Sequence, residues 1–188
     1  LVAGGAGYIG SHTCVELLNA GHEVVCADNL LNSKYESIRR VEKITGKSVK
    51  FYKEDVRDKA ALRKIFSENK IEAVIHFAGL KAVGESVSMP IYYYHNNVTG
   101  TLNLCTVMSK YNCKKIVFSS SATVYGKPKS VPISEDFPLS TTNPYGETKL
   151  SMEKMIKWTG KAHNIKYVAL RYFNACGAHK NGKIGENH

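Results

Sequence analysis

Apolar positions fall into two kinds of segment that alternate along the chain. Short, nearly continuous runs of Val, Ile, Leu and aromatic residues occur at 1–3, 23–27, 49–52, 73–77, 115–118 and 167–172. Between them lie stretches with helical spacing, at 9–18, 34–44, 59–68, 91–110 and 145–163. A strand with one wet face alternates apolar and polar residues. These runs do not alternate, so they read as strands of a parallel sheet covered on both faces. Strands joined through helices predict an α/β fold with a doubly wound parallel sheet, in the order 3-2-1-4-5-6. No repeat of about 20–50 residues and no low-complexity tract is present. The longest irregular connection, 127–143, carries prolines and serines, and loops of that length are usually functional or disordered.

Composition narrows the class. The 188 residues are 43% apolar and 22% charged, enough to bury a core, which excludes intrinsic disorder and fits one large domain. No uncharged apolar run approaches the roughly 18 residues of a membrane span, and no secretory leader pattern opens the chain. The five cysteines never stand as C-x-x-C, which argues against a disulfide framework or zinc site and for the reducing cytoplasm. The sequon at 97–99 then reads as chance. The net charge of +10 permits nucleic acid, membrane surfaces or phosphorylated small molecules as partners. Its lysines are spread from Lys34 to Lys183, a solvated surface rather than a nucleic-acid patch. The chain has no initiator Met, its first strand looks clipped, and 182–188 shows no period. It is expected to be the N-terminal portion of a longer protein, a dinucleotide-binding domain at 1–188 with most of a C-terminal substrate domain missing.

The first run leads into Gly4-Gly5-Ala6-Gly7-Tyr8-Ile9-Gly10, and a helix follows. Such glycines permit a tight turn and close backbone approach to a pyrophosphate, which the helix start attracts through free N–H groups. Asp28 ends the next run, 18 residues past Gly10, where an acidic residue grips the ribose hydroxyls of NAD and repels the extra phosphate of NADP. This makes the fold Rossmann-like and NAD the expected cofactor.

A second pattern is Tyr145-Gly146-Glu147-Thr148-Lys149, preceded by the helix-start pair Asn143-Pro144. Tyr145 and Lys149 sit at i and i+4 on one helical face. A free tyrosine, with a pKa of ~10, is a poor base at neutral pH. A nearby ammonium is expected to lower that value. Ser119, Ser120, Ser121 and Thr123 follow the fifth run, at the sheet edge where ligands of open α/β folds bind.

With the stretches at 4–13 (GGAGYIGSHT), 28–33 (DNLLNS), 76–81 (HFAGLK), 119–126 (SSSATVYG), 143–149 (NPYGETK) and 171–174 (RYFN), the chain resembles the extended short-chain dehydrogenase/reductases. Within them it is similar to the enzymes that invert carbon 4 of a UDP-hexose. The resemblance spans essentially all 188 residues. It departs at Ala3, where Thr is frequent, and at Ala175-Cys176, where Pro is common.

The resemblance implies a set of roles. Gly4, Gly7, Tyr8, Ile9 and Gly10 would carry the pyrophosphate. Asp28, Asn29 and Ser33, with Leu30, Leu31 and Asn32 between them, would surround the adenosine ribose, and Asp55 and Val56 the adenine. Phe77, Ala78, Gly79, Leu80, Lys81 and Asn96 would line the cofactor groove, and Phe173 would touch the nicotinamide end. Ser121, Tyr145 and Lys149 would be catalytic, with Ser121, Tyr145 and Asn174 also meeting the substrate.

The implied reaction is interconversion of UDP-glucose and UDP-galactose through transient NAD-dependent oxidation, by a homodimer paired through the helices at 91–110 and 145–163. No metal, membrane or nucleic acid is implied. A 4,6-dehydratase would need an acid near Ser121, where Ala122-Thr123 offers none. A non-catalytic NAD sensor has no reason to keep Ser121, Tyr145 and Lys149 together. His76 reads as a packed residue, and the run Tyr92–His95 as helix packing or a subunit contact.

Overall fold

Six short strands lie side by side and parallel in the computed structural model, which describes residues 1–186. They are β1 (Val2–Ala3), β2 (Val25–Ala27), β3 (Lys50–Tyr52), β4 (Val74–His76), β5 (Lys115–Ser121) and β6 (Lys166–Tyr172). Their order is β3-β2-β1-β4-β5-β6, the predicted one. The chain reverses direction across the sheet between β1 and β4, which makes their carboxyl ends the crevice for a ligand.

Seven α-helices connect them: α1 (Tyr8–Asn19), α2 (Tyr35–Thr45), α3 (Lys59–Glu68), α4 (Val83–Ser88), α5 (Pro90–Tyr93), α6 (Thr99–Lys110) and α7 (Pro144–His163). The Asp58 carboxylate caps α3 by accepting from the amides of Ala60 and Ala61 at 2.8 and 3.0 Å. Asn143 caps α7 through Gly146 N at 2.8 Å, with Pro144 in the first turn. Those side chains satisfy amides that no helical carbonyl reaches.

Alternate residues of the sheet feed two cores. Val2 and Cys26 pack with Cys14, Val15 and Leu18 of α1 and Ile38 and Val41 of α2. On the other face Ala3, Val74, Ile116 and Phe118 pack with Leu62, Leu104, Met108, Met152 and Ile156. Each buried Val, Leu, Ile, Met or Phe among them contributes about 1.5–3 kcal/mol, and residues of both parities are apolar because both faces are covered.

Two expectations fail locally. Coverage is incomplete at β6, where Tyr167, Val168 and Leu170 are exposed. There α7 lies on one face only, while α1 and α2 pack over β1 and β2. The predicted helix at 91–110 is interrupted: α5 passes through a π-turn at Tyr94–Val98 before α6 begins. The wider turn buries Asn96 and Asn97, and such turns recur at functional sites.

Candidate functional site

The β1–α1 loop is built on glycines that admit no side chain. Gly4 has φ +81°, and a Cβ there would stand 2.6 Å from Ala78 N. A Cβ on Gly10 would fall 2.2 Å from the Gly4 carbonyl oxygen. The helical ladder starts with Ser11 N donating to Gly7 O at 2.9 Å, so the amides of Tyr8, Ile9 and Gly10 precede it. Three N–H groups thus stand outside the helical ladder at the positive end of α1, which has no acidic residue in its first turn, a cradle suited to a pyrophosphate.

Asp28, at the end of β2, reaches back into that loop. Its Oδ2 accepts from Ala6 N at 3.0 Å, and its Oδ1 accepts from Leu30 N at 2.9 Å and from the Ser33 hydroxyl at 2.8 Å. A carboxylate has about four acceptor positions, so one remains, and a second opens if Ser33 turns away. Leu30 takes φ +60° to make this turn, while Leu31 and Asn32 stand exposed at its rim. Asn29 donates to Asp55 Oδ2 at 3.0 Å. Arg57 clamps Asp55 from the other side, at 3.0 Å through Nε and 2.7 Å through Nη2. Those bonds hold the Asp55 carboxyl down at about 2. Val56 beside it is buried against Gly100, whose Cβ would come 2.7 Å from the Val56 side chain.

After β4 the amides of Phe77 and Ala78 both donate to Ala3 O, at 2.8 and 2.9 Å. The following residues are clamped from the π-turn. Asn97 accepts from Leu80 N at 2.8 Å and donates to Leu80 O and Thr148 Oγ1, both at 3.1 Å. Asn96 in turn donates to Asn97 Oδ1 at 3.0 Å. A Cβ on Gly79 would lie 3.9 Å from Lys149 Nζ, so this segment runs past the lysine. Lys81 is exposed and pairs with Glu186 at 3.2 Å.

Ser121, Tyr145 and Lys149 meet beside that segment. The start of α7 approaches the 122–125 turn closely, because Gly146 leaves only 3.1 Å between a would-be Cβ and Thr123 O. Tyr145 N is held by the Ser86 hydroxyl at 3.1 Å. Ser121 Oγ accepts from Thr123 Oγ1 at 2.9 Å, and its hydroxyl stands near enough to the Tyr145 phenol to favour the phenolate. Lys149 Nζ donates to Ser119 O at 2.7 Å and lies 5.9 Å from the Tyr145 ring centre. Burial pulls the Lys149 ammonium down to about 8, against the opposing charge of Glu153.

Tyr145 departs from expectation. Burial pushes its phenol above the ordinary tyrosine value, and the nearby Ser121 hydroxyl only opposes this. In the protein alone, the cost of desolvating a phenolate outweighs the help from Ser121.

Phe173 and Asn174 follow β6 and lie exposed, and the structure does not bring them into the cluster. His76 is a packing residue: it is buried, and its Nε2 lies 2.9 Å from Thr101 Oγ1. Tyr93 is buried too, its hydroxyl donating to Glu85 at 2.6 Å. Sequence reasoning missed Asn97, Ser86 and Arg57, whose partners lie on other elements. Among the described residues no helix is long and apolar enough to cross a membrane.

Known proteins resemble the chain over nearly all its length. A UDP-glucose 4-epimerase of Bacillus subtilis is 63% identical over 188 residues, covering 100% of this chain and 56% of that protein. The solved UDP-glucose 4-epimerase from Bifidobacterium longum, in complex with NAD+ and UDP, superposes with a TM-score of 0.97 at 55% identity, over 99% of this chain and 56% of its own. The UDP-N-acetylglucosamine 4-epimerase from Methanobrevibacter ruminantium superposes at 0.85 with 36% identity, over 94% of this chain and 55% of its own. The chain thus spans little more than half the length of these relatives. The model of the NAD dependent epimerase/dehydratase family matches residues 1–188, and the chain belongs to that family.

Proposed function

We propose that the protein interconverts UDP-glucose and UDP-galactose by reversible oxidation at carbon 4 of the hexose, with NAD as a tightly held cofactor. The observation that carries this reading is the meeting of Ser121, Tyr145 and Lys149 beside a glycine loop with free helix-start amides. In the reading, Tyr8 and Ile9 hold the pyrophosphate, Asp28, Asn29 and Ser33 the adenosine ribose, and Asp55 and Val56 the adenine. Residues 77–81 and Asn96 line the groove, Phe173 meets the nicotinamide end, and Asn174 meets the sugar nucleotide.

When bound, NAD supplies the hydride acceptor and a positive ring charge close to the phenol. Tyr145 takes the proton from the carbon-4 hydroxyl and later returns it, and because the hydride also returns to carbon 4, no net redox change accumulates. Ser121 hydrogen-bonds the same oxygen and steadies the transfer. Lys149 donates to the nicotinamide ribose and favours the phenolate, which offsets the burial that otherwise keeps Tyr145 protonated. The nucleotide diphosphate anchors the sugar while its face turns.

The working unit in this reading is a homodimer paired across α6 and α7, where Leu102 and Trp158 stand exposed. Its place is the cytoplasm, which suits five free cysteines. The test is conversion of UDP-galactose into UDP-glucose, together with the mass of the nucleotide released on denaturation. Release of NADP, or net accumulation of a dehydrated sugar, would sink the reading.

A further inference from the structure

Three consecutive serines of β5 meet three residues of α7 spaced four apart. Ser121 meets Tyr145, the Ser119 carbonyl holds Lys149, and the Ser120 hydroxyl donates to Glu153 Oε1. The proposed chemistry uses the first two pairs and leaves the third unexplained. The Glu153 side chain is 10% exposed, and Arg171 of β6 grips both its oxygens, through Nε at 3.0 Å and Nη2 at 2.9 Å. The same guanidinium donates through Nη1 to Tyr125 Oη at 2.8 Å and to the Glu135 carbonyl at 3.3 Å. One ion pair therefore joins α7, the end of β5, the 122–125 turn that hydrogen-bonds Ser121, and the long 127–143 loop.

We infer that Glu153 and Arg171 are positioning residues of the reaction: their pair locks the end of β5 onto α7, so that Ser121, Tyr145 and Lys149 stay together, and sets a fixed negative charge one helical turn from the lysine. A partly buried ion pair is by itself weak evidence for stability, since desolvation offsets much of the attraction. Here it stands where both geometry and charge bear on the site.

The surroundings of Lys149 make Glu153 the group that matters. From β4 comes His76, buried and held neutral. From β5 come only the Ser119 carbonyl and the Phe118 ring. The π-turn contributes the neutral amide of Asn97, close to the same Gly79 that Lys149 passes. Glu85 of α4 is engaged by Tyr93, and β6 brings Arg171, already paired. Burial drives the ammonium toward neutrality, and Glu153 opposes it.

This inference rests on the reading of Lys149 as a working cation, and its test separates the two. Glu153→Gln keeps the shape and deletes the negative charge, whereas Arg171→Gln deletes the positive one. The lysine titration is read by NMR from its labelled Cε in the cofactor-free protein. Glu153→Gln is expected to move it down by about one pH unit and Arg171→Gln to move it up. In the active protein the alkaline limb of kcat follows each shift, with KM for the sugar nucleotide changed less than about twofold. Ser120→Ala unties the carboxylate from β5 and is expected to lower kcat without moving the titration. Should Glu153→Gln fail to fold, the upward shift in Arg171→Gln decides alone. Titrations that stay put, or that move together while both variants merely melt earlier, overturn the inference. A protein with shifted titrations and no epimerase activity overturns the proposed reaction instead.

Discussion

Lys149 Nζ donates to the backbone carbonyl of Ser119 at 2.7 Å, spanning from α7 to β5. One of three ammonium donors is thus spent on the chain itself, which leaves two for the groove. The bond also fixes where the charge sits. Lys149→Met is therefore expected to harm cofactor affinity and rate together, the rate by about 10²–10⁴-fold, the range for losing proton-transfer assistance. Calorimetry with NAD and steady-state kinetics check both. An unchanged affinity would show that the ribose contact is wrongly assigned.

Tyr145→Phe keeps the ring that packs with Leu80 and Tyr93 and removes only the hydroxyl. NAD binding should change by less than about twofold, while turnover falls about 10²–10⁴-fold. Turnover near the parent rate would remove Tyr145 as the base. Ser121→Ala should show a smaller loss, because its hydroxyl assists through the same oxygen.

What the sequence made legible was periodic or local. The glycine loop, Asp28 and the Tyr145–Lys149 spacing each lie within one turn or one helix, so their geometry follows from adjacency. The break at Tyr94–Val98 was hidden because a π-turn inserts one residue into an otherwise helical apolar pattern. Helix α4, six residues long, is too short to show a period. Asn97 stood out only as part of a chance sequon, and three of its bonds go to Leu80 and Thr148, which lie 17 and 51 positions away. Pairings such as Glu153 with Arg171 depend on which strand lies beside which helix, and spacing along the chain does not encode that. The raised phenol of Tyr145 was misjudged for the same reason: its burial is set by α4 and α5, elements the pattern did not foresee as separate.

Asp28 should govern the choice between NAD and NADP. With three of about four acceptor positions already filled by Ala6 N, Leu30 N and Ser33, a ribose hydroxyl can still be accepted. A phosphate would face the full negative charge. Asp28→Asn removes the charge and turns one acceptor into a donor against a backbone amide. It is expected to weaken NAD about tenfold and to narrow the NAD:NADP ratio of dissociation constants. A ratio that does not move would count against this contact.

The last prediction concerns His76, buried between Thr101 and Phe118. Thr101 spends its one hydroxyl proton on Asn97 O at 2.9 Å, so it must accept from His76 Nε2–H. The other ring nitrogen, Nδ1, has no partner among the described residues. Protonating it would bury an unsatisfied donor and a charge near Lys149. Burial accordingly holds the imidazole down at about 3, with the lysine charge adding to the effect. In the unfolded chain the same group titrates near 6.5. Between those values the unfolded state binds a proton that the native state refuses. The stability is fully present above about pH 6.5 and is lost as pH falls toward 3. One such proton is worth about 1.4 kcal/mol per pH unit once the unfolded histidine is charged. His76→Leu removes that proton and leaves Thr101 bonded to Asn97. Urea denaturation of both proteins at pH 6 and pH 5 should therefore show the native chain losing about 1 kcal/mol more than the variant. Equal losses would mean that His76 is charged in the folded protein and that Nδ1 has found a partner.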